Sequence, residues 1–353
     1  MKTLSWALPL FFLAVVSCSK APPEDPLCRY EPLPETARVA AGQGAVQITG
    51  STDQYFYLSD GSGKSVTNGK IGTAVHAKPG EYRIKLNGST HPVVVKEKML
   101  TKCSAGAVLL SGLTDEYYYV QDVTGASLAN GKIGQALDFF PDKYRVVVNK
   151  TSTEAEVKPG AVLELKAGLL RALGTTDEYY YVLDSTGANL ANNKLSAPLS
   201  LLPGNLSVKI NNSTAPVRIT AGGTIELQTG AVMVQGTTDE YYYVIDATGN
   251  QLANNKLNRA LSFVEGAYTV KLNNAKFAVK VEAGKTSEYQ TATLTVKGAG
   301  NAYYYVLDAN GTNLASNKLN QPLAFPDGSY SVKVGNETRP VTLATAKAVV
   351  VNW

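Results

Sequence analysis

Three cysteines and two histidines among 353 residues leave little material for catalysis. Both histidines, His76 and His91, fall in one stretch of the chain; no ligand spacing suits zinc, and no glycine-rich phosphate loop opens a helix. The carboxylates are more regular. Asp115-Glu116 recurs as Asp177-Glu178 and as Asp239-Glu240. Such a pair can help hold Ca²⁺, but the dense oxygen-ligand loop that calcium needs is missing around it, so turn capping is the expected use. Adjacent acids do not make a glycosidase either, because that chemistry needs a set separation across a cleft. Asp60, Asp122, Asp184, Asp246 and Asp308 recur together with Lys70, Lys132, Lys194, Lys256 and Lys318. These can pair weakly across a hairpin, or join in an intramolecular isopeptide bond; solvated surface charge is the ordinary use. A non-enzyme without cofactor or metal is expected.

Recognition chemistry has a better candidate in the tyrosines. The string Thr114-Asp115-Glu116-Tyr117-Tyr118-Tyr119-Val120 returns almost unchanged from Thr176 and from Thr238, with looser forms near Tyr55 and Tyr303. Side chains alternate along a strand, so the triplet divides between two faces. Phe56, Tyr118, Tyr180, Tyr242 and Tyr304, each followed two residues on by Leu or Val, form a face that suits a core. The other face holds the unchanging pairs Tyr55 and Tyr57, Tyr117 and Tyr119, Tyr179 and Tyr181, Tyr241 and Tyr243, Tyr303 and Tyr305. A tyrosine ring stacks while its hydroxyl bonds, as contact surfaces require. Two readings follow: the pairs pack against the next unit or under a long loop, or they form an exposed ladder that binds polysaccharide or a partner protein.

These residues repeat because the chain does. A 62-residue unit runs five times without insertion, giving units at residues 45–106, 107–168, 169–230, 231–292 and 293–353. Repetition favours reach, stiffness and multivalent contact over a single active site. Junctions are short, as at Ala105-Gly106, Ala167-Gly168 and Thr229-Gly230, so a semi-rigid, elongated array is expected. The end copies differ from the middle ones: the first has Gln54, Phe56 and both histidines, and the fifth has Gly300-Asn301-Ala302 in place of Thr-Asp-Glu.

Within a unit the period is two. In the second copy, residues 107–110, 117–122, 144–148, 154–157 and 161–165 are short Val-, Leu- and Tyr-rich runs bounded by turn residues, which predicts an all-β unit of six or seven strands. Asp122-Val123-Thr124-Gly125 reads as a turn capped by the Asp side chain, and Asn130-Gly131, with Asn193, Asn255 and Asn317 later, as a tight hairpin needing positive φ. Pro79-Gly80-Glu81-Tyr82, Pro141-Asp142-Lys143-Tyr144 and their later counterparts resemble the tyrosine corner of immunoglobulin-like sandwiches; Leu206 departs from it in the third copy. The whole unit resembles the small β-sandwich repeats of bacterial surface proteins, including PEGA-type and immunoglobulin-like modules. That resemblance implies five tandem β-sandwiches and says little about role. A unit of this size buries only ~60% of its unfolded surface, so neighbours are expected to support one another.

The N-terminus supplies location. Lys2 precedes an apolar stretch over residues 4–16, too short to span a bilayer, and residues 1–17 read as a secretory signal. Val15-Val16-Ser17-Cys18 resembles the lipobox of bacterial lipoproteins, which implies lipidation of Cys18; each buried methylene adds ~0.8 kcal/mol of membrane affinity. Ser19 and Lys20 follow, without the aspartate that the family uses for inner-membrane retention, which implies an outer-membrane lipoprotein at the cell surface or facing the periplasm. Prolines across residues 18–44 favour an extended tether. Cys28 and Cys103 can bridge in an oxidising compartment or remain two free thiols; Cys103 aligns with Leu165, Leu227, Tyr289 and Val351, positions that suit a core. Hydrophobic residues at 44% and charged residues at 18% describe a folded chain, and a net charge of +4 without a basic block argues against nucleic acid as partner. The function expected is a lipid-anchored, non-catalytic spacer or adhesive element of the cell envelope. The alternatives are a carbohydrate- or cell-wall-binding lipoprotein working through the tyrosine pairs, and an accessory lipoprotein of a secretion or motility complex.

Overall fold

A computed structural model describes residues 25–34 and 40–353. The predicted signal segment and Cys18 lie outside the described residues. The chain is all-β, and each of the five copies is a seven-stranded sandwich. In the second copy the strands are Gly106–Ser111, Tyr117–Gln121, Ser127–Lys132, Ala136–Phe139, Lys143–Val148, Thr151–Glu156 and Val162–Lys166. One sheet places Gly106–Ser111 between Ala136–Phe139, antiparallel, and Val162–Lys166, parallel. The other runs in the order Ser127–Lys132, Tyr117–Gln121, Lys143–Val148, Thr151–Glu156, antiparallel throughout.

The alternation in sequence explains this packing. Tyr118 and Val120 on one sheet meet Val108 and Leu110 on the other, all fully buried, with Val146 and Val148 beside them. Burying one such side chain stabilises by ~2 kcal/mol. The Tyr118 hydroxyl reaches the carbonyls of Val108 at 3.1 Å and Gln135 at 2.7 Å, so the ring crosses the core without stranding a polar atom. Phe56 fills the same place in the first copy, where no such bond is needed.

Turn chemistry closes the strands. The Asp122 carboxylate accepts from the backbone N–H groups of Thr124 at 2.9 Å and Ala126 at 3.0 Å, with Gly125 at φ 88°. The Tyr144 hydroxyl donates to the Phe140 carbonyl at 2.6 Å and the Tyr268 hydroxyl to that of Val264 at 2.8 Å, the bond expected of a tyrosine corner. The hairpin expected at Asn130-Gly131 is elsewhere. Gly131 lies inside strand Ser127–Lys132, opposite Tyr118, where an added Cβ would meet Leu137 at 3.4 Å, an ordinary packing contact. Its successors Asn193, Asn255 and Asn317 also lie within strands, donating side-chain amides to the carbonyls of Pro198, Ala260 and Pro322. The positive-φ pair of the tight hairpin is Asn149-Lys150, at 47° and 59°, repeated as Asn211-Asn212 at 46° and 63°.

Copies join without slack. Thr224–Gln235 is one unbroken strand that closes the third copy and opens the fourth. Apolar side chains also cross the junctions: Phe140, Leu202 and Val264 each sit in the core of the copy before their own. Their backbone N–H groups donate to the hydroxyls of Ser89, Thr151 and Ser213 in that copy, at 3.1, 2.8 and 3.1 Å.

Residues 28–32 belong to the stretch expected as an extended tether, and of the two readings for Cys28 and Cys103 it is the bridged one, which holds this stretch to the first copy, that forms. Cys28–Pro32 pairs antiparallel with Met99–Ser104, and Cys28 is bridged to Cys103. A bridge spanning 75 residues contributes about 4 kcal/mol in the chain-entropy model. The His91 Nε2 atom lies 2.7 Å from the Asp25 carboxylate, and the Lys96 ammonium stands 3.6 Å from the centre of the Tyr30 ring.

Candidate interaction surface

The strand that buries Tyr118 turns Tyr117 and Tyr119 outward. The pairs are exposed in every copy except for a half-buried Tyr243; Tyr117 retains 52% of its surface and Tyr181 36%. Rings exposed to this degree are not packed beneath a loop or sealed against the next copy. Antiparallel register sets Lys132 opposite Tyr117, and the ammonium groups of Lys70, Lys132, Lys194 and Lys256 stand 5.6, 5.9, 6.0 and 5.8 Å from the ring centres of Tyr55, Tyr117, Tyr179 and Tyr241. At exposed sites such contacts contribute roughly 0.5–1 kcal/mol.

In the first four copies the recurring lysine is therefore the partner of a ring and not of the recurring aspartate. Asp122 caps a turn at one end of the hairpin and Lys132 lies at the other, so neither the ion pair nor the isopeptide bond forms. Lys70 does meet a carboxylate, but it is that of Asp53, at 3.4 Å.

The acidic pairs also have a different use from the one expected. Asp115 is exposed, while Glu116 reaches into the third copy. Its carboxylate accepts the backbone N–H of Ser200 at 2.8 Å and the Asn149 side-chain amide at 2.7 Å, and the Thr114 hydroxyl lies 2.8 Å away. Asn149 also donates to the Ser200 carbonyl at 2.9 Å. Glu178 binds Ser262 and Asn211 in the same way, and Glu240 accepts from the Ala324 N–H at 3.0 Å. The first junction exchanges the groups. Gln54 accepts the N–H of Asp138, and the fully buried Asp138 carboxylate accepts from Ser51 at 2.9 Å and Thr52 at 2.8 Å. Each of these four junctions thus holds one carboxylate, which avoids two like charges in a desolvated contact. The fifth copy has Ala302 and Gly335 where the others carry the acceptor and its asparagine. The signal for this was present in sequence, as those two losses together with the Gln54 and Asp138 exchange, but the partners lie 84 residues apart.

Grooves open beside the tyrosine pairs where copies meet. Tyr179, Tyr181, Lys209, Asn211 and Asn212 of the third copy face Leu252 of the fourth across about 430 Å³. Tyr55, Tyr57, Lys70 and Lys85 line one of about 480 Å³, and Tyr241, Tyr243 and Lys271 with Leu314 of the fifth copy one of about 680 Å³. At the second junction Val147 replaces the lysine, and the Lys150 ammonium extends towards the Asn189 carbonyl at 3.5 Å. These surfaces offer ring faces, amide donors and ammonium groups, the means to stack on and hydrogen-bond a ligand. They hold no nucleophile with an adjacent base.

A larger cavity, about 1140 Å³, lies between the docked leader and the first copy, lined by Asp25, Tyr30, Tyr82, Arg83, His91 and Lys96. Asp25, Cys28 and His91 converge there, but the Cys28 sulfur is committed to its disulfide.

No protein-family model matches this chain, and no curated protein matches it. Among solved structures, the Bacillus anthracis TIE protein is similar at 12% identity and a TM-score of 0.17, covering 93% of this chain and 68% of that one. A variant of BcpA, the major pilin subunit of Bacillus cereus, is similar at 12% identity and a TM-score of 0.17, covering 88% of this chain and 99% of that one. The pilus adhesin SpaC from Lactobacillus rhamnosus GG gives 10% identity and a TM-score of 0.16, covering 89% of this chain and 57% of that one.

Proposed function

We propose that this protein is a non-catalytic element of a bacterial cell envelope, held to a membrane by a lipid on Cys18 and serving as a stiff, multivalent spacer. The observation that carries the reading is the junction. Successive copies share core side chains and a partly buried carboxylate clasp, and the third and fourth also share a strand, so bending between them would break these hydrogen bonds. The lipid fixes one end, and the copies hold similar tyrosine surfaces at regular intervals. Small-angle scattering tests the spacer: wild type should fit a narrow range of lengths, and Glu116→Ala with Glu178→Ala should broaden it. A wild-type chain as flexible as beads on a string would sink the idea. Membrane fractionation of Cys18→Ser tests the anchor, which should be lost.

A second reading is favoured by the exposure of the tyrosine pairs and by the grooves at their side: the array binds polysaccharide or cell-wall glycan. Stacking on rings tolerates varied sugars, and repeated weak sites gain strength by multivalency. Retention on insoluble cell-wall glycan should fall when Tyr179 and Tyr181 become Ala while the thermal transition is unchanged.

A further inference from the structure

In each copy the last strand pairs with the parallel first strand, and in the second and fifth copies that leaves it at the edge of a three-stranded sheet. The first copy is the exception, because its edge is covered. Cys28–Pro32 adds to Met99–Ser104 there, and Thr101 and Cys103 beneath it are fully buried. The equivalent inward residues of the fifth copy, Val349 and Val351, remain half-buried.

An open edge invites another strand, and proteins guard such edges with charge. Copies two to four follow this rule: the outward residue at the centre of the edge is Glu164, Glu226 or Glu288. The fifth copy breaks it. Its edge strand Ala348–Asn352 reads Ala-Val-Val-Val-Asn, uncharged, with Val350 in the glutamate's place and 49% exposed. The Trp353 N–H donates to the Lys297 carbonyl inside the sheet, so by alternation the backbone groups of residues 348, 350 and 352 point out of it. Arg339 occupies the Asn352 carbonyl at 2.9 Å, which leaves the outward groups of Ala348 and Val350 for a partner.

We propose that Ala348–Asn352 pairs antiparallel with the same strand of a second copy of this chain. The strand is self-complementary. A two-fold axis at Val350 sets Val350 opposite Val350 of the second copy as the doubly hydrogen-bonded pair, Val349 opposite Val351, and Ala348 opposite Asn352. The leader makes the same kind of bonded pair between Arg29 and Lys102 on the first copy's edge. Valine opposite valine is a favourable cross-strand contact, whereas the glutamates of copies two to four would face one another as like charges. One short strand pair buries less than a stable interface needs, so the dimer is weak and reversible, and forms where anchored chains are crowded.

The test uses the chain from residue 19 onward, which keeps every described strand and lacks Cys18. Sedimentation equilibrium up to about 1 mM should show a monomer–dimer equilibrium in the high-micromolar range. Val350→Glu should weaken it at least tenfold with an unchanged thermal transition, because three other copies fold with glutamate there; Val350→Thr should preserve it. Under mild oxidation Val350→Cys should cross-link to itself, since directly opposed positions are within disulfide reach, and Asn352→Cys should not. A strict monomer at 1 mM, a dimer indifferent to Val350→Glu, or equal cross-linking by both cysteines would overturn the proposal.

Discussion

Val264 donates its backbone N–H to the Ser213 hydroxyl at 3.1 Å across the third junction, and at the fourth junction both halves of this bond are replaced together. The donor position holds Pro326, which has no N–H, and the acceptor position holds Ala275, which has no hydroxyl. Ser89 with Phe140 and Thr151 with Leu202 keep both. The loss is paired because a buried N–H without an acceptor costs about 1–3 kcal/mol, whereas removing both partners is nearly neutral.

Ser213→Ala should therefore destabilise the third junction by about 1–3 kcal/mol and speed hydrogen exchange at the Val264 amide selectively. Ala275→Ser should bring no gain, because Pro326 has nothing to donate. Amide exchange with mass spectrometry reads both, and an unchanged Val264 rate in the first variant would remove the bond from any account of coupling.

The carboxylate clasp predicts a graded series. Glu178→Ala strands the Ser262 N–H and the Asn211 amide and should cost about 2 kcal/mol at that junction. Glu178→Gln keeps an acceptor oxygen and should cost less, as Gln54 indicates at the first junction. Pairing Glu178→Gln with Ser262→Asp would recreate that first junction and should recover part of the loss. Urea unfolding of the three chains orders them, and equal effects of Ala and Gln would refute the clasp.

What sequence revealed and what it hid divide by distance along the chain. The buried face of the tyrosine triplet, the Asp122 turn and the tyrosine corner are local, each closing over a few residues or set by period two, and comparing copies made them legible. The turn misassigned to Asn130-Gly131 shows the limit of composition: Asn and Gly also serve within strands, as Asn193, Asn255 and Asn317 do by donating their side-chain amides to nearby carbonyls. The use of Glu116 was hidden, since Ser200 reaches it only after a whole further unit has folded against it.

The two faces of the tyrosine strand should respond oppositely to mutation. Tyr180 is fully buried, so Tyr180→Ala should cost about 3–5 kcal/mol; Tyr180→Phe loses the hydroxyl's contacts with the Ala197 carbonyl at 2.8 Å and the Leu170 carbonyl at 3.4 Å and should cost about 1 kcal/mol. Tyr179→Ala with Tyr181→Ala should stay within about 1 kcal/mol. Thermal unfolding separates these, and a large loss from the outward pair would return those rings to a structural role.

Acid should loosen the turns before the cores. The Thr248 hydroxyl, then the Asn250 backbone N–H, hold the Asp246 carboxyl down to about 2 from its ordinary 3.8, and the same bonds lower Asp60, Asp122 and Asp184. A carboxyl whose folded pKa lies below its unfolded one stabilises the fold fully above the unfolded value and loses that contribution as pH falls through the folded one. The window for Asp246 thus runs from near pH 4 down to near pH 2. Thr248→Ala removes the largest cause and should raise the Asp246 pKa towards its ordinary value, moving the loss to higher pH. Carboxyl titration by NMR in both chains measures the shift, and an unmoved Asp246 in Thr248→Ala would assign the depression to the backbone bonds of the turn and the Asn250 side-chain amide.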